Sequence, residues 1–208
     1  MIELHYYPSN ASFAPHILLE EMGVPYALRQ VDRANNEHKS PAYLKLNPNG
    51  LIPVLVDGDL VLYETAAILM HLADCHPGFA PAPGTPERAE YYKWMVWLTN
   101  TLQAMLIHYF YPERMATDAA EVKARAEAAV APMLDQMDAH LARHGGDWFL
   151  GEQYTAVDPL AFMLSRWTRM QARPAKTRPA LGAYLARVLA RPATQRAVAT
   201  EKLADPVY

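Results

Sequence analysis

Apolar and polar positions change their period along this chain, and the changes predict its elements. Ile2–Tyr7 is short, rich in aromatics and stopped by Pro8, as a strand should be. From Ser12 to Met22 the apolar residues Ile17, Leu18 and Met22 keep helical spacing, and Gly23 stands where a helix end favours glycine. Tyr26–Val31 predicts a second strand, 32–40 is polar and irregular, and Pro41–Leu46 predicts a short helix. Asn47-Pro48-Asn49-Gly50 is turn chemistry, because proline presets one turn dihedral and glycine tolerates the next. Pro53–Val56 and Leu60–Tyr63 flank Asp57-Gly58-Asp59, the pattern of a hairpin. Glu64–Cys75 predicts a helix with Ile68, Leu69 and Leu72 on one side. Further on, strand signals nearly vanish: Glu87–Tyr111, Ala119–Arg143, Ala156–Ala172, Pro179–Ala190 and Thr194–Leu203 all predict helices.

The order strand, helix, strand, short helix, hairpin, helix predicts an α/β module with a mixed four-stranded sheet and helices on its faces. An all-α module follows. The segment from His76 to Pro86 holds four prolines and two glycines, which makes 77–86 a linker between domains at 1–76 and 87–208.

Composition narrows the function classes. A net charge of −3 gives no general pull toward nucleic acid or an anionic membrane. The C-terminal arginines are spread over more than one helix and read as a solvated face. A single cysteine, Cys75, excludes an internal disulfide framework, a CxxC redox pair and a cysteine-based zinc site. No two of the eight histidines share an HExxH-type spacing, so no metal is expected. No run of 18 apolar residues occurs, and MIELHYYPSN lacks the basic and apolar regions of a secretory signal. The expected home is the reducing cytoplasm.

Three stretches carry a family resemblance. The run Leu46 to Leu55 (LNPNGLIPVL), followed by Asp57-Gly58-Asp59 and Leu62-Tyr63-Glu64-Thr65-Ala66-Ala67-Ile68, resembles the glutathione-site core of soluble glutathione transferases. Glu37-His38-Lys39-Ser40-Pro41 is similar to the loop that closes on glutathione in several bacterial and plant classes. Phe149-Leu150-Gly151 to Thr155-Ala156-Val157-Asp158 resembles the capping motif of the family's C-terminal domain. The resemblance spans the chain and implies a thioredoxin-like first domain, a homodimer, and glutathione as co-substrate to a small hydrophobic electrophile.

Glutathione brings a thiol, an amino group and two carboxylates, and a host must meet each. The resemblance implies that Pro53 is cis, turning the N–H and C=O of Ile52 outward to pair in strand fashion with the cysteinyl residue. Glu64 and Thr65 stand where a strand ends and a helix begins, and unpaired amides there form an anion site. Thr65 suits the γ-glutamyl carboxylate and Glu64 the ammonium group. Simple helix capping by the pair is the plainer alternative. His38 and Lys39 suit the glycyl carboxylate. Leu51 replaces a frequent glutamine and removes one side-chain contact.

In this family the thiol activator follows the first strand. The segment Tyr6-Tyr7-Pro8-Ser9-Asn10-Ala11-Ser12 is most similar to the bacterial beta-class pattern, but Ala11 takes the place of its cysteine. Ser12, at the helix start, is next in line, with Ser9, Asn10 and Tyr6 as alternatives; capping is the plainer role for Ser12. The co-substrate is expected between the halves. Trp94, Trp97, Met105, Tyr109, Phe162, Trp167 and Met170 form aromatic and methionine stripes, with Thr101 among them, and such stripes are more often core than pocket. Asn100 and His108 are the polar candidates in that setting. Thr155 and Asp158 are assigned to helix capping. The expected activity is conjugation of glutathione to an electrophile, or peroxide reduction by the same thiolate. The rival is a non-catalytic glutathione-transferase-like module that binds ligands or proteins.

Overall fold

The computed structural model describes residues Met1 to Tyr208 and divides into two units, Met1–Ala80 with Ala190–Ala204 and Pro81–Leu189 with Asp205–Tyr208. In the first unit β1 (Ile2–Tyr6), α1 (Phe13–Met22), β2 (Tyr26–Gln30), α2 (Pro41–Leu44), β3 (Val54–Asp57), β4 (Leu60–Tyr63) and α3 (Thr65–Cys75) follow in the predicted order. The sheet order is β2-β1-β3-β4, with β1 parallel to β2 and antiparallel to β3. Residues Ile2, Leu4 and Tyr6 alternate inward along β1, as period two requires. On the opposite face Val31, Tyr43, Ile52 and Val54 form a cluster packed by Tyr7, Leu46 and Tyr63. Every residue of α1 from Phe13 to Leu19 is buried, because the helix packs against β1, α3 and a further helix, α9 (Pro192–Thr200).

That last contact departs from a simple division at residue 86. Helix α9 joins the first unit, and no period in its sequence names its partner. Charge pairing secures it: Arg191 grips Glu21 at 2.7 Å, and Arg196 grips Glu20 at 2.5 Å. Partly exposed pairs are worth about 0.2–1 kcal/mol each, so the burial of Ala193, Thr194 and Ala197 carries most of the docking.

The second unit holds α4 (Pro86–Trp97), α5 (Ala104–Phe110), α6 (Ala119–His144), α7 (Val157–Trp167) and α8 (Pro179–Ala190). Thr85 and Asp118 cap α4 and α6 by accepting the N–H groups of Arg88 and Glu121. At the start of α7, Asp158 accepts the Thr155 N–H at 2.7 Å and the Phe149 N–H at 2.9 Å, and Tyr184 donates to it at 2.9 Å. Two predicted helices are interrupted. Between α4 and α5, Leu98–Gln103 winds as π-helix, where Thr99, Asn100 and Thr101 are poor helix formers. Helix α7 stops at Trp167 because Thr168 turns the chain, donating to the Ser165 carbonyl and accepting the Ala175 N–H. No helix is long and apolar enough to cross a membrane.

Candidate active site

The antiparallel register pairs His5 with Val54, so Pro53 and Ile52 come next along β3, level with Tyr6 and Tyr7. The Ile52–Pro53 bond is cis, as expected. Neither the N–H nor the C=O of Ile52 is hydrogen-bonded within the chain, so both remain for a ligand. The preceding carbonyl is pinned instead: Tyr43 Oη–H and Asn47 Nδ2–H both donate to Leu51 O at 2.9 Å. Sequence reasoning missed this role for Tyr43 and Asn47, although both lie in or beside the turn it singled out.

Glu64 begins α3 in a left-handed conformation, φ 73°, that glycine adopts freely and glutamate does not. Such conformations cost about 1–3 kcal/mol and cluster at functional sites. Its side chain makes no capping hydrogen bond and is exposed, which removes the plain capping reading for Glu64. Thr65 is buried, and its hydroxyl donates to the Ala11 carbonyl at 3.4 Å. The first amides of α3 have no partner within the helix and, with its dipole, favour an anion. The Thr65 bond joins this helix end to the loop after β1.

His38 and Lys39 lie on one 3-10 turn, Glu37–Lys39. Lys39 Nζ donates to Asn49 O at 3.2 Å, and His38 Nδ1 is buried without a partner in the chain. Burial, then the neighbouring Lys39 and Arg33 charges, holds His38 below the usual histidine range. Close packing of this turn on Gly50, φ 60°, depends on the missing side chain: a Cβ there would lie 2.8 Å from both His38 O and Lys39 Nζ.

The structure corrects the expectation for Ser12. It is fully buried, and its hydroxyl is closed onto Tyr7, accepting the N–H at 3.2 Å and donating to the carbonyl at 3.1 Å. Its one proton is directed to the Tyr7 carbonyl, so Ser12 fastens the end of β1 to the start of α1. Tyr6 points into the core face of β1 beside His16, with ring centroids 6.2 Å apart, and burial then the Glu201 charge push its hydroxyl up. Ser9 stands in a left-handed conformation, φ 66°. Asn10 accepts the Ala11 N–H on Oδ1 at 2.7 Å, which leaves its Nδ2–H groups without a partner in the chain. Asn10 and Tyr6 are the candidates whose side-chain donors have no partner in the chain; that of Asn10 stands on the loop after β1, while the Tyr6 ring is buried on the core face.

The co-substrate candidates are not brought together. Asn100 is exposed on the π-helical segment, so its expected apolar setting is absent, and His108 is half-buried on α5. Trp94 is core: its ring packs at 4.6 Å from His140 and 4.9 Å from Phe149. A cavity of about 170 Å³ is lined by Lys93, Trp94, Trp97, Gln136, His140 and Arg143, and includes neither polar candidate. Phe110 and Trp167 meet edge to face at 6.0 Å, with Phe110 and Met170 exposed nearby in sequence. No group of three or more His, Cys, Asp or Glu side chains is placed to hold a metal ion.

Comparison with known proteins bears on this arrangement. Residues 2–74 match the model of the Glutathione S-transferase, N-terminal domain, and residues 99–192 that of the Glutathione S-transferase, C-terminal domain. A glutathione S-transferase from Xanthomonas campestris pv. campestris is 31% identical over 97% of this chain and 100% of the relative. Glutathione S-transferase 3 from Zea mays is 34% identical over 91% of this chain and 89% of the relative. A sphingomonad glutathione S-transferase, solved in complex with glutathione, matches with a TM-score of 0.85 and 31% identity, covering 97% of this chain and all of that one. With unpaired Ile52 groups, an open α3 terminus and this likeness along nearly its whole length, the chain belongs to the glutathione S-transferase family.

Proposed function

We propose that this glutathione transferase holds glutathione along Ile52 and the start of α3 and stabilises its thiolate through Asn10, for attack on a small hydrophobic electrophile. The carrying observation is the pair of unsatisfied Ile52 backbone groups next to the unpaired amides of α3. Buried or half-buried backbone groups are rarely left unpaired, and an extended peptide segment satisfies both at once. Glu64 is exposed to meet the γ-glutamyl ammonium, the α3 amides take its carboxylate, and Lys39 takes the glycyl carboxylate. Structures of relatives contain bound glutathione, which supports the same co-substrate here.

A cysteine-like thiol titrates near about 8.5. A hydrogen bond to a charged acceptor contributes about 1.5–3 kcal/mol, and each pKa unit is worth about 1.36 kcal/mol. One N–H from Asn10, helped by the positive end of α1, therefore brings the thiol down by one to two units, into the neutral range. The thiolate forms the C–S bond, and the displaced electron pair leaves with the electrophile's leaving group. The exposed Val61 on β4 and Tyr92 and Val96 on α4 support a homodimer, and the free thiol of Cys75 suits the cytoplasm.

The test is titration with glutathione while thiolate absorbance near 240 nm is followed against pH. Wild type binds and shows thiolate at neutral pH, while Asn10→Ala raises the bound thiol's pKa by about one unit or more. Absence of binding, or an unchanged pKa in Asn10→Ala, refutes the reading.

A further inference from the structure

We infer that Glu201 is a positioning residue for thiol activation, holding the Ser9–Asn10 loop in its working conformation from the far end of the sequence. The inference rests on the activating role of that loop. Glu201 follows α9, and its side chain is fully buried. One carboxylate oxygen accepts the Ser9 N–H at 2.8 Å, and the other accepts from His16 Nδ1 at 2.8 Å. His16 is itself fully buried, and its Nε2 has no partner, which assigns the proton to Nδ1. The carboxylate thus ties the turn before α1 to the body of α1.

Two observations make this more than a buried polar bond. Ser9 is left-handed without being glycine, a conformation that persists only where its surroundings over-determine it. The bond that fixes its amide comes from Glu201, 192 residues away. Asn10 follows at once, and its own N–H is turned back to Tyr7 O at 3.1 Å. If the Ser9 amide loses its acceptor, Ser9 relaxes to negative φ and swings the Asn10 amide away from the thiol. A direct electrostatic role has the opposite sign, since a buried carboxylate next to the site opposes a second negative charge. The two roles therefore predict opposite shifts.

Glu201→Ala removes the anchor, Glu201→Asp keeps the charge but shortens the reach, and Glu201→Gln keeps an acceptor for Ser9. The readouts are the pKa of bound glutathione's thiol, by absorbance near 240 nm, and the dissociation constant of S-methylglutathione, which has no thiol to activate. Expected are a pKa raised by about one unit in the Ala and Asp variants, near-wild-type behaviour in Gln, and analogue affinity within about twofold throughout. The inference is overturned if Ala and Asp keep the wild-type pKa, or lower it, or if analogue affinity falls as much as activation. Should Glu201→Ala fail to fold, the Asp and Gln pair decides alone. Wild type lacking any thiolate would refute the activator reading itself, a result distinct from unaltered variants in an active wild type.

Discussion

Gly50 shows how one missing side chain shapes a binding surface. Its left-handed φ and the 2.8 Å approach of the His38–Lys39 turn leave no room for a methyl group. Gly50→Ala should cost about 1–3 kcal/mol of stability and raise the dissociation constant for glutathione several-fold, by calorimetry, as the turn is pushed off. Unchanged affinity would mean that the turn takes no part in binding. At this scale the sequence was partly legible. Thr65 could be placed because a strand end followed by a helix start has recognisable neighbours, whereas Ile52 and Pro53 were placed by the family resemblance of the LNPNGLIPVL run. Ser12 could not, since hydroxyl residues serve equally as donors and as internal fasteners, and only the bonds to Tyr7 decide between them. The strain at Ser9 and Glu64 left no signal, because neither residue is glycine.

Among the elements, the start of α7 is the most tightly specified. Asp158 is wholly buried and gathers the Phe149 and Thr155 amides and the Tyr184 hydroxyl. Asp158→Ala removes the shared acceptor of these buried donors, and urea unfolding should show a loss of about 3–5 kcal/mol. Burial outweighs these donors and pushes the carboxyl from 3.8 up to about 6. The folded state therefore holds this proton more tightly than the unfolded chain. The stabilisation it brings is full below pH 3.8 and lost as pH rises through about 6. The stability of wild type relative to Asp158→Asn should accordingly shrink between pH 4 and 7, and a gap that widens over that range would contradict the assignment. The capping pattern itself was legible from Thr155 and Asp158 at their spacing of three. The π-helical turn at Leu98–Gln103 was not, because LTNTLQ holds neither glycine nor proline and the helices on either side read as one.

For the molecule as a whole, element order gave the mixed sheet and the helical second unit, since periods of two and near four sort strands from helices. What it could not give was the partner of α9, which depends on where Glu20 and Glu21 stand in space. The exposed faces of Val61, Tyr92 and Val96 likewise name no partner outside the chain. Sedimentation equilibrium at micromolar concentration should give twice the 23.3 kDa chain mass, and Val96→Glu should shift it toward the single chain. A monomer in wild type would reject the homodimer.

The Glu201 tether also sets a schedule for synthesis. At about 5–20 residues per second, the 192 residues that separate Ser9 from its acceptor take roughly 10–40 s to translate. Until then Ser9 lacks the acceptor that holds its amide, and the flank of α1 that α9 covers in the finished fold has no cover.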